Sequence, residues 1–531
     1  MTQKIAFDAI RIEVFKHLFS AIAEEMGAVL KKSSYSPNIK ERRDFSCAIF
    51  DPQGRMIAQA AHIPVHLGSM PLSVSAAIKA FPEIKANDTV ILNDPYHGGT
   101  HLPDITLVSP IYLEHVGSDS ILIGYVGCRA HHSDVGGLAP GSMAIANEIY
   151  QEGLIIPPAK LIENGEINSS LLDIILANVR TPEERLGDLW AQVAANRRGV
   201  TRFLELCDKY GINMIRDSMS ELLKYTERLT RNLIAQLPDG MYTYTDFLDD
   251  DGLSTTSIKI TTTITIKGDQ ALVDFTGTSK QVKGSLNAVY AITLSAVYYV
   301  IRCLIGLDVP NNAGCLVPIQ LIAPEGTVIN ALPPAPVAGG NVETSQRIVD
   351  VLLGAMAKAR PDLVPAASQG TMNNVSIGGF DPVKNTRFAY YETIGGGTGA
   401  RPNSNGPSAI HSHMTNTYNT PIEALEYAYP LRVNRYEIRR GSGGHGKYHG
   451  GDGIRRDILL LTDAHVSLIT ERRKFSPYGL AGGLAGLPGK NVVIHGDQEL
   501  SLPSKGTFPL LCGDILSIRT PGGGGYGVPD D

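Results

Sequence analysis

Apolar residues near the start of the chain recur at the helical period. Ile10, Val14, Leu18, Ile22 and Met26 share one face, which predicts a helix over residues 8–30 with Asp8 as its cap. Residues 45–50 form a short strand-like run, Asp51-Pro52-Gln53-Gly54 is a turn, and residues 55–61 return as a second strand. Two more β-rich runs, 105–113 and 121–127, are separated by residues 115–119 with Gly117 and read as a hairpin. Met219, Leu222, Thr226, Leu229 and Leu233 then line one face of a helix over 214–237, stopped by Pro238-Asp239-Gly240. The period changes to two at Ile258, Ile260, Thr262, Ile264 and Ile266, the alternation of a half-buried strand. Gly268-Asp269 turns this strand into another that ends at Phe275. A further helix is expected over 345–360, started by Thr344 or Ser345. Beyond Gly395 the chain is glycine-rich and is expected to be poor in strands, with loops at 441–453 and 479–489.

These elements predict an α+β protein of several domains, with antiparallel hairpins, core helices and a glycine-rich C-terminal region. The divisions expected are a metal-binding region over 1–210, a mixed helix and strand region over 211–390, and the glycine-rich region over 391–531. The apolar stretch 288–307 carries Arg302 and several Tyr, Thr and Ser residues, so it is expected as a buried core helix and not a membrane span. A formal net charge of -6 leaves no basic surface for nucleic acid or an anionic membrane. None of the six cysteines sits in a CxxC pair, and the polar start lacks a signal-peptide apolar run, which suits reduced thiols in a cytoplasmic protein.

Histidine is unevenly spread. Of the 14, seven lie between His62 and His132, interleaved with Asp94 and Asp104 and followed by Asp134. His101 and Asp104 sit just before the first hairpin strand and His131 just after the second, so antiparallel pairing brings them to one end. Asp44 precedes the 45–50 strand and can reach the same place. Two imidazoles with one or two carboxylates suit Zn²⁺ or Mn²⁺. On spacing alone, loop histidines hydrogen-bonded to carboxylates are an equal reading, and no HExxH signature decides between them.

Three glycine loops imitate nucleotide motifs. Gly441 to Lys447 nearly fits a phosphate loop, but Tyr448 stands where Ser or Thr should hold Mg²⁺. Gly395 to Ala400 runs into Arg401-Pro402-Asn403 and not into a helix, and Gly522 to Gly527 lies at the end of the chain. All three are expected as structural turns. The absence of a GxSxG elbow disfavours a serine hydrolase. His411-Ser412-His413-Met414-Thr415-Asn416-Thr417 is a second polar cluster, either a contact to substrate or a loop held by its own hydrogen bonds. Glu392, Arg401 and Glu423 share that ambiguity, and Glu343 is expected only to favour the start of a helix.

The segments Glu41-Arg42-Arg43-Asp44-Phe45-Ser46, His66-Leu67-Gly68-Ser69-Met70, Asn93 to Asp104, His131 to Gly137, Pro336 to Asn341 and Pro521 to Gly527 resemble the hydantoinase B/oxoprolinase family, nearly end to end. The resemblance implies a subunit of an ATP-dependent enzyme that opens cyclic amides such as hydantoins, 5-oxoproline or lactams. It implies a divalent metal held by Asp44, His101, Asp104 and His131, with His131 preferred to His132 because His-x-x-Asp-x-Gly-Gly begins there. Asp94, His97, His132, Asp134, His411 and His413 would orient those ligands or touch substrate. ATP-Mg²⁺ would be bound by a hydantoinase A-type partner in a heterotetramer. The alternative within the resemblance is a component of an ATP-dependent ketone carboxylase of the acetone or acetophenone type.

Overall fold

A computed structural model describes residues 9–61, 63–115, 118–306 and 309–529. Asp8, His62 and part of the 115–119 turn lie outside the described residues. The first sheet contains β1 (Phe45–Phe50), β2 (Met56–Ala61), β3 (Thr89–Leu92), β4 (Asp104–His115), β5 (Ser118–His131), β6 (Ala159–Glu163) and β7 (Glu166–Ile167). Their order is β2-β1-β5-β4-β3-β6-β7, with neighbours antiparallel. Around it lie α1 (Ala9–Ser33), α2 (Pro37–Lys40), α3 (Met70–Ala80), α4 (Ser169–Ala177), α5 (Pro182–Tyr210) and α6 (Ile212–Ile234).

The long helices α1 and α5 pack on each other and on the sheet, with Phe19 stacked on Phe203 at 6.0 Å between ring centroids. On the opposite face Met70 and Val74 of α3 close over Phe50, Val90 and Val108. Strand β1 is therefore buried at every position, including Ser46, which is why the short strand-like run 45–50 shows no alternation of apolar and charged residues.

A second sheet holds β8 (Gly240–Leu248), β9 (Ile258–Lys267), β10 (Gln270–Asp274) and β11 (Ile319–Ile322), in the order β11-β10-β9-β8. The isoleucines of β9 point inward at alternate positions, as the period of two requires. They meet α7 (Tyr290–Ile305) and α8 (Ser345–Ala359). Tyr290–Ile305, within the apolar stretch, is thus a core helix, and no helix among the described residues is long and apolar enough to cross a membrane. Helix α8 has no side-chain cap from Thr344. It continues instead from a five-residue π-helical turn, Gly340–Thr344, a local irregularity that recurs at functional sites.

The C-terminal part overturns one expectation, because seven strands follow Gly395 among the described residues. A third sheet runs β13-β12-β16-β19, built from β12 (Asn374–Asp381), β13 (Thr386–Glu392), β16 (Ala464–Ile469) and β19 (Lys505–Leu510). A fourth runs β14-β15-β20-β17-β18, from β14 (Leu431–Arg439), β15 (Gly453–Leu460), β17 (Lys490–His495), β18 (Gln498–Leu502) and β20 (Ile515–Arg519). The short helix α9 (Ile422–Ala428) precedes β14. Val375, Ile377, Val466 and Leu468 of the third sheet share a core with Ile454, Ile458, Leu516 and Ile518 of the fourth. The strands are hidden in the sequence because charges interrupt the pattern. Arg456, in the middle of β15, is fully buried and pairs with Glu392 at 3.0 Å, so a charged position behaves as an inward one.

The three glycine loops that imitate nucleotide motifs pack on one another, backbone to backbone. Gly444 N donates to Gly523 O at 2.8 Å, Gly523 N to Gly451 O at 2.9 Å, and Gly397 N to Pro521 O at 3.0 Å. A Cβ at Gly523 would collide with the carbonyl of Thr398. Their amides serve this layer, which is why they are structural elements as expected. All six thiols are free.

Candidate metal centre

The hairpin of β4 and β5 does what its sequence implied, and more tightly. Asp104 opens β4, His131 closes β5, and the two are direct partners in the ladder. His101 lies one turn earlier, fixed by a hydrogen bond from Asp104 N to its carbonyl at 3.1 Å. His131 N donates to the carbonyl of Asp44 at 3.0 Å, and Asn38 Nδ2 donates to the His131 carbonyl at 2.6 Å. The backbone around β1, β4 and β5 thereby fixes the side chains above it.

Three donor atoms meet. His101 Nε2 lies 3.0 Å from Asp104 Oδ1, His131 Nδ1 lies 3.3 Å from the same oxygen, and the two nitrogens are 3.2 Å apart. Ligands bound at about 2.0–2.1 Å to one ion stand roughly 2.9–3.4 Å apart, for cis octahedral to tetrahedral arrangements. The triangle fits a single divalent ion. His101, Asp104 and His131 form the only such cluster among the described residues.

Asp104 is held by both oxygens. Its Oδ1 faces the triangle, while Oδ2 accepts from Thr100 Oγ1 at 2.6 Å and lies 3.3 Å from His66 Nε2. His66 is in turn fixed by Ser46 Oγ at 3.0 Å. Burial alone would raise the Asp104 carboxyl, but His101, with help from His131 and His66, brings it well below the usual carboxylate range. Burial lowers the His131 imidazole, partly offset by Asp104 and Asp44. A neutral His131 imidazole leaves a ring nitrogen free to bind a metal. Tyr391 stacks on His131 at 4.5 Å and Asn341 Nδ2 lies 3.0 Å from His101 Nε2. The His101 Nδ1, His131 Nε2 and His66 Nε2 atoms have no hydrogen-bond partner.

Asp44 stands beside the triangle and not in it. It lines the same cavity, of about 20 Å³, with His66, Asp104, His131, Asn341 and Tyr391. That volume holds one water or ion. Arg42, fully buried, sits 4.0 Å from Asp44 and hydrogen-bonds to Thr393 and the Tyr391 carbonyl, so the N-terminal segment is tied to the strand that carries Tyr391.

The other sequence candidates fall elsewhere. His132 turns toward α5, where Nε2 meets Gln192 Oε1 at 2.9 Å; burial, then the nearby Arg185, lowers it to about 4. Asp94 accepts from Tyr96 N at 2.9 Å and from the exposed His97 ring at 2.6 Å, at the edge of a separate cleft. Asp134 accepts from Gly136 N, Gly141 N and Arg180, which fixes its own loop. Glu392 is engaged with Tyr390, Arg456 and Thr420 N. His411 and His413 line a groove of about 720 Å³ that also borders Thr415. Burial lowers them to about 3 and about 4, so both rings are neutral near pH 7.

Four participants in the site carry no signal of their role in the sequence: His66, Thr100, Asn341 and Tyr391. The first three lie inside motifs singled out above; Thr100 reaches Asp104 within its own motif, whereas His66 and Asn341 reach the site from other segments. Glu343 is more than a favourable helix-start charge. It is fully buried in the π-turn, accepts from Met372 N at 3.1 Å and Asn374 Nδ2 at 2.8 Å, and is raised to about 8 by burial and then by Glu471.

Comparison with known proteins identifies relatives over the whole chain. An uncharacterized protein of Methanocaldococcus jannaschii is 47% identical over 98% of this chain and 91% of its own length. The 5-oxoprolinase 1 of Arabidopsis thaliana is 39% identical over 98% of this chain, which spans 42% of that protein. A Pseudomonas sp. protein, provisionally named as the B component of a D-/L-hydantoinase, is 33% identical over 98% of this chain and 90% of its own. The chain spans about two fifths of the length of the curated 5-oxoprolinases it matches. Among solved structures, the ATP-dependent caprolactamase from Pseudomonas jessenii superposes with a TM-score of 0.90 at 29% identity, covering 98% of this chain and 92% of that one. A nucleotide-free acetone carboxylase superposes with a TM-score of 0.91 at 20% identity, over 98% of this chain and 76% of that one, a likeness of fold. The Hydantoinase B/oxoprolinase family profile matches residues 8–529, and the chain belongs to that family.

Proposed function

We propose that this chain is the metal-binding subunit of an ATP-dependent cyclic amide hydrolase, acting on a hydantoin, 5-oxoproline or lactam ring. The observation that carries the reading is the triangle of His101 Nε2, Asp104 Oδ1 and His131 Nδ1, with sides of 3.0–3.3 Å. These three residues would hold Zn²⁺ or Mn²⁺, with Asp44 as the adjacent carboxylate; mixed nitrogen and oxygen donors suit both ions. A bound divalent ion would supply Lewis acidity that polarises an amide carbonyl and acidifies water.

The chain's own residues set the conditions for that chemistry. Thr100 and His66 hold Asp104 Oδ2, which leaves Oδ1 fixed toward the two imidazoles. Tyr391 covers His131, and the small cavity excludes bulk water. An amide carbonyl is a poor electrophile, so ring opening gains from ATP if the carbonyl oxygen is phosphorylated first. We assign that step to a hydantoinase A-type partner that carries ATP-Mg²⁺, in a heterotetramer. Two observations support the division: the glycine loops of this chain are spent on packing one another, and its relatives include a protein named as one component of a hydantoinase.

The test is co-purification with a hydantoinase A-type ATP-binding protein from the same organism, followed by assay with ATP, a hydantoin and lactam panel, and acetone with labelled bicarbonate. Ring-opened acid formed with ATP consumption is expected. Label incorporated from bicarbonate, with no ring opening, would assign the complex to ketone carboxylation instead.

A further inference from the structure

The metal cavity, at about 20 Å³, cannot hold a cyclic amide. A larger space lies next to it. The groove of about 720 Å³ runs between Tyr299 and Cys303 of α7, residues 398–403 and the 410–416 loop. Thr415 lines both the groove and the cavity, so this loop is the partition between them.

The groove is equipped for a polar ligand. Ser412, 8% exposed, has an Oγ without a hydrogen-bond partner, and so does His411 at Nε2, while His413 Nε2 faces the buried Asp350 carboxylate at 4.0 Å. Buried polar atoms of this kind are costly unless something else completes them. Arg401 lies within electrostatic reach of Tyr299 and Cys303. Among the described residues it has no ion-pair partner. Asp362, the carboxylate on the same groove, is occupied by Arg360 at 2.7 Å. Neutral hydrogen-bonding groups beside one uncommitted guanidinium suit a ligand that is mostly amide and carries one oxyanion.

We propose that this groove binds a small cyclic amide bearing a carboxylate, with Arg401 holding the carboxylate and the 411–413 segment holding the amide against the Thr415 partition. The inference rests on the metal centre acting on cyclic amides, and it adds a location and a selectivity to that reading. A phosphoryl group would offer Arg401 the same oxyanion chemistry, so the test separates the two.

Binding is measured by calorimetry on the full metal-loaded chain, with 5-oxoproline, 2-pyrrolidinone and inorganic phosphate as probes. 5-Oxoproline is expected to bind at least about tenfold more tightly than 2-pyrrolidinone, one charge-assisted hydrogen-bonded pair being enough for that difference. Arg401→Gln should abolish the preference, while His411→Asn should weaken both rings and keep it. Equal affinity for the two rings, a preference that survives Arg401→Gln, or no ring binding at all would overturn the proposal. Phosphate binding that depends on Arg401, without a preference between rings, would assign the cation to a phosphoryl group and equally overturn it. His101→Ala separates this proposal from the functional one. Lost turnover with retained 5-oxoproline binding supports both, whereas retained turnover sinks the metal mechanism and leaves the groove standing.

Discussion

Thr100→Val isolates the support of the metal centre from its ligands. The substitution keeps the shape of the side chain and removes the hydroxyl that donates to Asp104 Oδ2 at 2.6 Å. Asp104 is 1% exposed, so no bulk water replaces the lost donor. A hydrogen bond to a buried charged acceptor contributes about 1.5–3 kcal/mol. Independently, removing a group that orients a ligand typically lowers metal affinity about 10–100-fold, or roughly 1.4–2.7 kcal/mol. The two ranges overlap. His66 Nε2, 3.3 Å from the same oxygen, retains part of the orientation, which places the expectation toward the lower end. Chelator competition with Zn²⁺ at pH 7.5 should show affinity falling by about tenfold, with donor atoms untouched. Affinity within about twofold of the wild type would refute the idea that Asp104 needs its second oxygen held.

Three further outcomes follow from the same geometry. Urea unfolding at pH 7.5 and 5.0 should show His413 acting as an acid-sensitive element. Its ring is lowered from 6.5 to about 4 by burial, so the unfolded chain binds the extra proton first. The stability it contributes is complete above pH 6.5 and is lost as pH falls toward 4, by about 2 kcal/mol at pH 5, so His413→Asn should lose about 2 kcal/mol less than wild type between the two pH values, and an equal loss in both would contradict it. Gly523→Ala should destabilise the protein by about 3 kcal/mol or more, because the new Cβ meets the Thr398 carbonyl within a layer of backbone; an unchanged melting temperature would contradict that packing. His132→Asn should leave metal content unchanged, since its ring bonds Gln192 and faces away from the triangle; loss of metal in folded protein would place His132 among the ligands.

The parts of this architecture that are legible in the sequence are the local ones. Residues 45–50 match β1 to the residue, and the period of two in β9 gives its inward isoleucines. The hairpin matters most, because pairing rules alone bring His101, Asp104 and His131 to one end. The remainder depends on contacts that no local pattern encodes. Tyr391 reaches His131 from more than two hundred residues away, and Asn341 reaches His101 from a π-turn that a helix pattern does not announce. Strand β15 is hidden by Arg456, whose partner Glu392 belongs to another sheet. Asp44, assigned to the ligand set by family resemblance, lies beside the three-atom cluster, where only its backbone carbonyl is bonded to His131.

The central claim is that His101, Asp104 and His131 hold one divalent ion. Elemental analysis of the purified full chain after exhaustive dialysis tests it directly, beside Asp104→Asn and His131→Ala proteins shown by circular dichroism to be folded. Wild type should retain about one equivalent of zinc or manganese per chain, and each variant less than about a tenth of that, as expected when an ion depends on few protein ligands. Wild-type protein that opens its ring substrate with no bound ion, or folded variants that keep a full equivalent, would contradict the account.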